Sequence, residues 1–214
     1  MVDQRVYAKQ QSAQRVSDDT WTNLRGSRDG APICMPWQVA LAIEGKVYQV
    51  RLGTITAPLT GDIEITTVAA EAASEAAAGH TILPLAINVE VEALGCTLPQ
   101  ACVKAVNALI TTLGTAFVPL NLRIGGPAAA GRSAVAAAGG VAVASETQAT
   151  TRVLASAHMS AIGDSQPQVI NKQFKTPHVL VGPASMYLQV GTVMTGSDYF
   201  GFYNFAELLS NDIT

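Results

Sequence analysis

The chain has 214 residues, of which 49% are apolar and only 14% charged, and its formal net charge is −3. That length allows one β-rich domain or two small ones. A folded surface of roughly 9,400 Å² against about 32,000 Å² unfolded leaves room for a core needing no disulfide or metal. The acidic balance excludes strong non-specific binding to nucleic acid, which requires clustered Lys and Arg, and no run of about 18 apolar residues is present to span a membrane as a helix.

Charged residues fall well below the usual quarter. Either part of the surface is covered by other subunits, or a monomer coats itself in Ser, Thr, Gln and Ala. Residues 1–30 are polar and weakly patterned. They carry Arg5, Lys9, Arg15, Arg25 and Arg28, nearly cancelled by Asp3, Asp18, Asp19 and Asp29. This predicts a mixed-charge N-terminal arm, with Trp21 and Leu24 as its anchors and a single domain over 31–214. No apolar segment of signal-peptide type opens the chain.

Patterning begins after Pro36. Val39, Leu41 and Ile43 alternate with polar and small residues, Glu44-Gly45-Lys46 turns the chain, and Tyr48, Val50 and Leu52 alternate again. That predicts a β-hairpin. Asp62–Val68 reads as a strand. Glu71–Ala78, rich in Ala and Glu and closed by Gly79, predicts a short helix. Thr81–Leu94 is a long strand with Ile87, Val89 and Val91 on one face. Pro99–Leu113 reads as a helix from Val103, Val106, Ile110 and Leu113, with a strand competing for its second half. Phe117–Ile124 alternates with Val118, Leu120, Leu122 and Ile124 on one face. Ala128–Ala144 has too little side-chain mass for a core and predicts a long surface loop. Thr151–Met159, His178–Val181 and Ser185–Val190 are strands. The chain then closes on Tyr199-Phe200-Gly201-Phe202-Tyr203-Asn204-Phe205, which holds five of the ten Tyr and Phe residues. Aromatics packed on a strand dominate core and interface energetics. Tyr199, Phe200, Phe202, Tyr203 and Phe205, with Trp21, are therefore the candidate core or inter-subunit anchors. Eight or nine strands without a fixed repeat predict an all-β fold, a single jelly roll or antiparallel β-sandwich with one or two short helices.

No catalytic or cofactor motif emerges. His80, His158 and His178 lack ligand-spaced partners. Cys34, Cys96 and Cys102 are odd in number, and Cys96-x5-Cys102 does not match a zinc pattern, so buried thiols are favoured over a local Cys96–Cys102 pair. The glycines from Gly125 to Gly140 lack the lysine and hydroxyl of a phosphate loop. Glu90 and Glu92 share one strand face and cannot flank a sugar as acid and base. The chain is thus expected to be no enzyme and to need no cofactor or metal.

The stretch Thr176-Pro177-His178-Val179-Leu180-Val181-Gly182-Pro183, the strand Ser185–Val190 and the closing segment Asp198–Leu209 resemble the last strands of a viral jelly-roll coat protein. The early Val39–Leu52 hairpin and the mixed-charge arm are similar to that class, and the likeness of layout covers about residues 31–214. The resemblance implies an icosahedral capsid built from copies of this chain, made in a host cytoplasm and residing in the virion. The arm departs from the strongly basic arms of coats that neutralise a single-stranded genome. That departure implies a shell around an internal membrane or a separately packaged duplex, with a second coat or vertex protein as a further partner. The competing expectation is a β-sandwich binding module, carbohydrate-recognising or adhesive, marked by aromatics exposed on one sheet face.

Overall fold

Eight strands carry the fold in the computed structural model. It describes residues 5–8, 20–23, 36–61, 69–92, 100–135, 140–143, 149–158, 168–175, 178–191 and 198–212. The strands are β1 (Val47–Leu52), β2 (Ala72–Ala76), β3 (His80–Glu92), β4 (Gln100–Val106), β5 (Thr151–His158), β6 (Gln168–Gln173), β7 (Ala184–Gly191) and β8 (Asp198–Leu209). One sheet runs β1-β8-β3-β6 and the other β5-β4-β7-β2. The pairs β1–β8, β2–β7, β3–β6 and β4–β5 are all antiparallel. Four strands thus run against the following four like one long hairpin, rolled so that successive pairs fall in opposite sheets. That connectivity is a jelly roll, and the all-β expectation holds.

Period-2 burial explains most of these strands. Tyr48, Val50 and Leu52 on β1, Ile87 and Val89 on β3, and Tyr199, Tyr203 and Phe205 on β8 enter one core. From the second sheet it receives Val103, Met186, Leu188 and Val190. The β8–β3 ladder is the spine, running from Asp198 opposite Glu92 to Leu209 opposite His80.

Several elements differ from expectation. The first half of the Val39–Leu52 hairpin is a helix, α1 (Trp37–Ile43). Gly45, at φ 73, closes it: its N–H donates to Ala42 O at 3.0 Å, and the Lys46 N–H donates to Leu41 O at 2.9 Å. This paired closure of a helix end requires a left-handed residue, which glycine supplies without strain. Leu41 and Ala42 then pack on Val47, Leu83 and Ala206 outside the first sheet.

The expected Glu71–Ala78 helix is β2, buried along its whole length. Ala72 and Ala76 face the main core, while Ala73 faces a second core with Val106, Ile110, Ala134, Val141 and Tyr187. Pairing with β7 on one edge and Ser133–Val135 on the other, together with burial, overrides the helix propensity of its alanines. The expected Pro99–Leu113 helix is β4 in its first half and a loop after Val106; Pro99 lies outside the described residues. Nor is Ala128–Ala144 a surface loop throughout. Ser133–Val135 pairs with β2 and Val141–Ala142 with Ala69–Ala70, and Ala134 and Val141 are buried. Strand β6 had no signal of its own, since Ile170 alone among its described side chains enters the core.

The Phe117–Ile124 strand is broken in two. Thr115–Phe117 joins the second sheet beyond Ser133–Val135, and Leu120–Asn121 joins the first sheet beside β1. In the arm, Arg5–Ala8 pairs with Thr20–Asn23 as a separate two-stranded sheet, with Trp21 opposite Tyr7. The expected Asp62–Val68 strand, Cys34 and Cys96 lie outside the described residues, and Cys102 carries a half-buried thiol.

Candidate assembly surface

A chain this poor in charge places three of its carboxylates inside. Glu71, Glu75 and Glu207 are 1%, 5% and 7% exposed. An isolated buried carboxylate is costly, so each must be met by donors. Glu71 accepts the Val190 N–H at 2.7 Å. Glu207 accepts the Ala130 and Gly131 N–H groups at 2.9 and 3.1 Å and faces His80 Nδ1 at 3.3 Å. Glu75 takes a two-pronged contact from Arg132 and the Ile110 N–H at 3.1 Å. Residues 130–132 are therefore gripped from both sheets, by Glu207 on β8 and Glu75 on β2. This clasp holds the glycine- and alanine-rich tract against the sandwich edge. Arg132→Ala leaves Glu75 buried without its cation. Because the Arg132 side chain is 50% exposed, solvent takes up part of the loss, and we expect about 2 kcal/mol of destabilisation in urea denaturation.

A second polar contact crosses the core. Ser133 Oγ, Ser74 Oγ and Tyr203 Oη form a buried chain with both links at 2.7 Å. Burial holds the Tyr203 phenol well above its ordinary pKa, and the Ser74 hydrogen bond acts weakly the other way. Tyr48 is raised as well, first by burial and then by the charge of Glu207. Raised folded-state values mean that the unfolded chain loses these protons first. Their stabilising contribution is whole below about pH 10 and is lost as pH rises through the folded values. We expect alkaline unfolding steepened by up to about 1.4 kcal/mol per pH unit by Tyr203, with Tyr48 acting in the same direction. Tyr203→Phe is expected to flatten that slope in pH-dependent melts.

The candidate anchors separate by strand alternation. Tyr199, Tyr203 and Phe205 point into the core, where the Phe205 ring lies 5.7 Å from Tyr48 and 6.4 Å from Tyr203. Phe200 and Phe202 sit half-buried on the outer face, in register with Glu90 and Asn88. Trp21 lies in the arm hairpin, away from this strand in sequence and in a different sheet.

The residues that sequence reading did not single out lie at the β1 edge. Val118, Leu120, Leu122 and Ile124 are 70%, 53%, 44% and 98% exposed. Ile124 tops a firmly built turn. Asn121 Nδ2 donates to Gly45 O at 2.7 Å and to Pro127 O at 2.8 Å, while its Oδ1 accepts the Arg123 N–H at 2.8 Å. The Gly126 N–H closes the turn on Arg123 O at 2.8 Å. Next to it, α1 turns Val39 and Ile43 outward, 46% and 47% exposed. Leu122 and Val39 line one groove of about 480 Å³, together with Ala42, Leu85 and Phe174. Leu122 of the stripe and Val39 of the helix thus share one groove, whose rim also carries Gln38, Gln173, Lys175 and Asn204. Clustered exposure of this kind, rather than scattered single residues, marks an interaction site. The signal in the sequence was the alternation of Val118 to Ile124, which does not tell an inward face from an outward one.

Among the described residues no group of His, Cys, Asp and Glu is placed to hold a metal ion. Nor, among the described residues, is any helix long and apolar enough to cross a membrane. No protein-family model, curated protein or solved structure matches this chain.

Proposed function

We propose that this chain is a structural subunit that assembles with copies of itself, a virus coat protein of the jelly-roll class. The observation that carries the reading is the apolar surface at the β1 edge, presented on a hydrogen-bonded turn. A backbone turn that is already ordered before binding reduces the entropy lost when its side chains are buried against a partner. The rolled connectivity of the two sheets and the low surface charge support the same reading. An internal membrane and a second coat or vertex protein are the further partners this function calls for, with the virion as its location. Light scattering after size exclusion, with negative-stain microscopy, tests it. Closed particles or defined oligomers are expected; a monomer at every concentration and salt condition removes the reading.

The placement of Phe200 and Phe202 on an outer sheet face favours a second reading, a carbohydrate-binding or adhesive sandwich. Stacking platforms of that kind serve sugar rings. A glycan array separates the two: specific retention of a glycan by a monomeric chain favours the binding module.

A further inference from the structure

The sandwich has an open mouth between the start of β5, the end of β4 and residues 178–180. It holds a cleft of about 300 Å³ lined by Asn107, Thr150, Arg152, His178 and Val179 over a floor that includes Leu154 and Leu180. Leu154 and Leu180 belong to the main core. Arg152 pairs with Ala105 on β4, a main-core residue, and directly opposed residues share a sheet face, so its side chain starts from the core-facing side of the strand at the mouth. The register of β5 on β4 slips between Val153 and Ala155, a bulge of the kind that re-aims side chains at rims. Among the described residues the guanidinium Nη1 reaches the Ala149 and Thr151 carbonyls, at 3.3 and 3.5 Å. These are long contacts, and no described carboxylate pairs with Arg152. Across the cleft the His178 ring is held edge-on to Phe174, with centroids 5.5 Å apart. No acidic residue is among the described lining residues.

We propose that this cleft binds a small sugar bearing an acidic group, a hexose carboxylate or hexose phosphate. The planar guanidinium offers paired donors matched to an oxyanion. His178 adds a further donor from the opposite wall. The Asn107 amide suits a sugar hydroxyl, and Val179 with Leu154 gives an apolar wall for a ring face. The volume lies at the lower end of small-ligand sites and fits one ring. This site is separate from the assembly reading and stands whether or not that reading holds.

The test is a titration of the isotope-labelled full chain, followed by amide shifts, with glucose 6-phosphate, glucuronate, glucose and inorganic phosphate. Saturable shifts at 105–107, 149–154 and 178–180 are expected with at least one of the two acidic hexoses, and the tighter one identifies the acid group. That ligand should bind at least about 10-fold tighter than glucose and tighter than phosphate alone. Arg152→Gln should weaken it at least about 10-fold with an unchanged melting temperature. The proposal is overturned by any of four results: no saturable shift, glucose binding as tightly, phosphate binding as tightly, or full affinity in Arg152→Gln. Should Arg152→Gln lower the melting temperature, His178→Asn takes its place with the same loss expected.

Discussion

Gly201→Ala is expected to cost the fold at least about 3 kcal/mol, enough to prevent a stable monomer from accumulating. Gly201 sits mid-way along β8 at φ +147, which side chains rarely adopt. It faces inward between Tyr199 and Tyr203, opposite Val89 on β3 and Leu52 on β1. A Cβ built there would lie 2.1 Å from the Asn88 carbonyl oxygen and 2.9 Å from the Val89 Cα. Both neighbours are backbone of the longest ladder in the molecule, so neither yields without breaking strand pairing. The penalty therefore combines dihedral strain with a steric clash against the backbone of the paired strand. Equilibrium urea unfolding of a soluble fraction, or the yield of folded protein where none remains, measures it. Wild-type stability in Gly201→Ala means that β3 and β8 do not approach as closely as the structure places them.

The same strand shows where sequence was readable and where it was not. Alternation locates β1, β3, β7 and β8 because their larger apolar residues recur at every second position on the face turned to the main core, so period 2 survives in the residue order even where the other face is also covered, as at Tyr187. Around Gly201 it also places Tyr199, Tyr203 and Phe205 inside and Phe200 and Phe202 outside, although composition alone presented them as one aromatic block. Strand β2 defeats the rule. It is built from Ala, Ser and Glu, so no large apolar residue marks every second position, and the local preference of its alanines is helical although its two faces pack on two different cores. Helix α1 defeats it in the other direction. Val39 and Ile43 are spaced four apart, which suits a helix face as well as a strand, and over seven residues the two periods cannot be told apart. The deciding signal was Glu44-Gly45-Lys46, which closes a helix here and not a hairpin. The inner carboxylates were unreadable for a different reason. Glu75 and Glu207 become anchors only once folding brings Arg132 and the Ala130 and Gly131 amides to them, and these lie 57 to 77 positions away in the chain.

Ile124→Asp is expected to abolish self-association while leaving the isolated fold within about 0.5 kcal/mol of wild type. Ile124 is 98% exposed, so the fold loses no packing when it is replaced. The turn itself is built from backbone groups and the Asn121 amide, which the substitution leaves in place. In an assembly, by contrast, the aspartate would bring a charge into a desolvated apolar contact without a cation to meet it. Truncation of a central anchor costs about 2 kcal/mol or more per contact, a buried unpaired charge costs more, and a many-copy shell repeats the loss at every equivalent interface. Ile55→Asp is the matched control. Ile55 is 70% exposed but follows the other end of β1, about 20 Å from the turn by strand rise, and it should leave association intact. Light scattering across a concentration series reads both variants, and thermal melts confirm that each is folded. Association retained in Ile124→Asp, and again when Leu120→Asp is added, assigns the contacts between copies to another face and removes the β1 edge from the assembly.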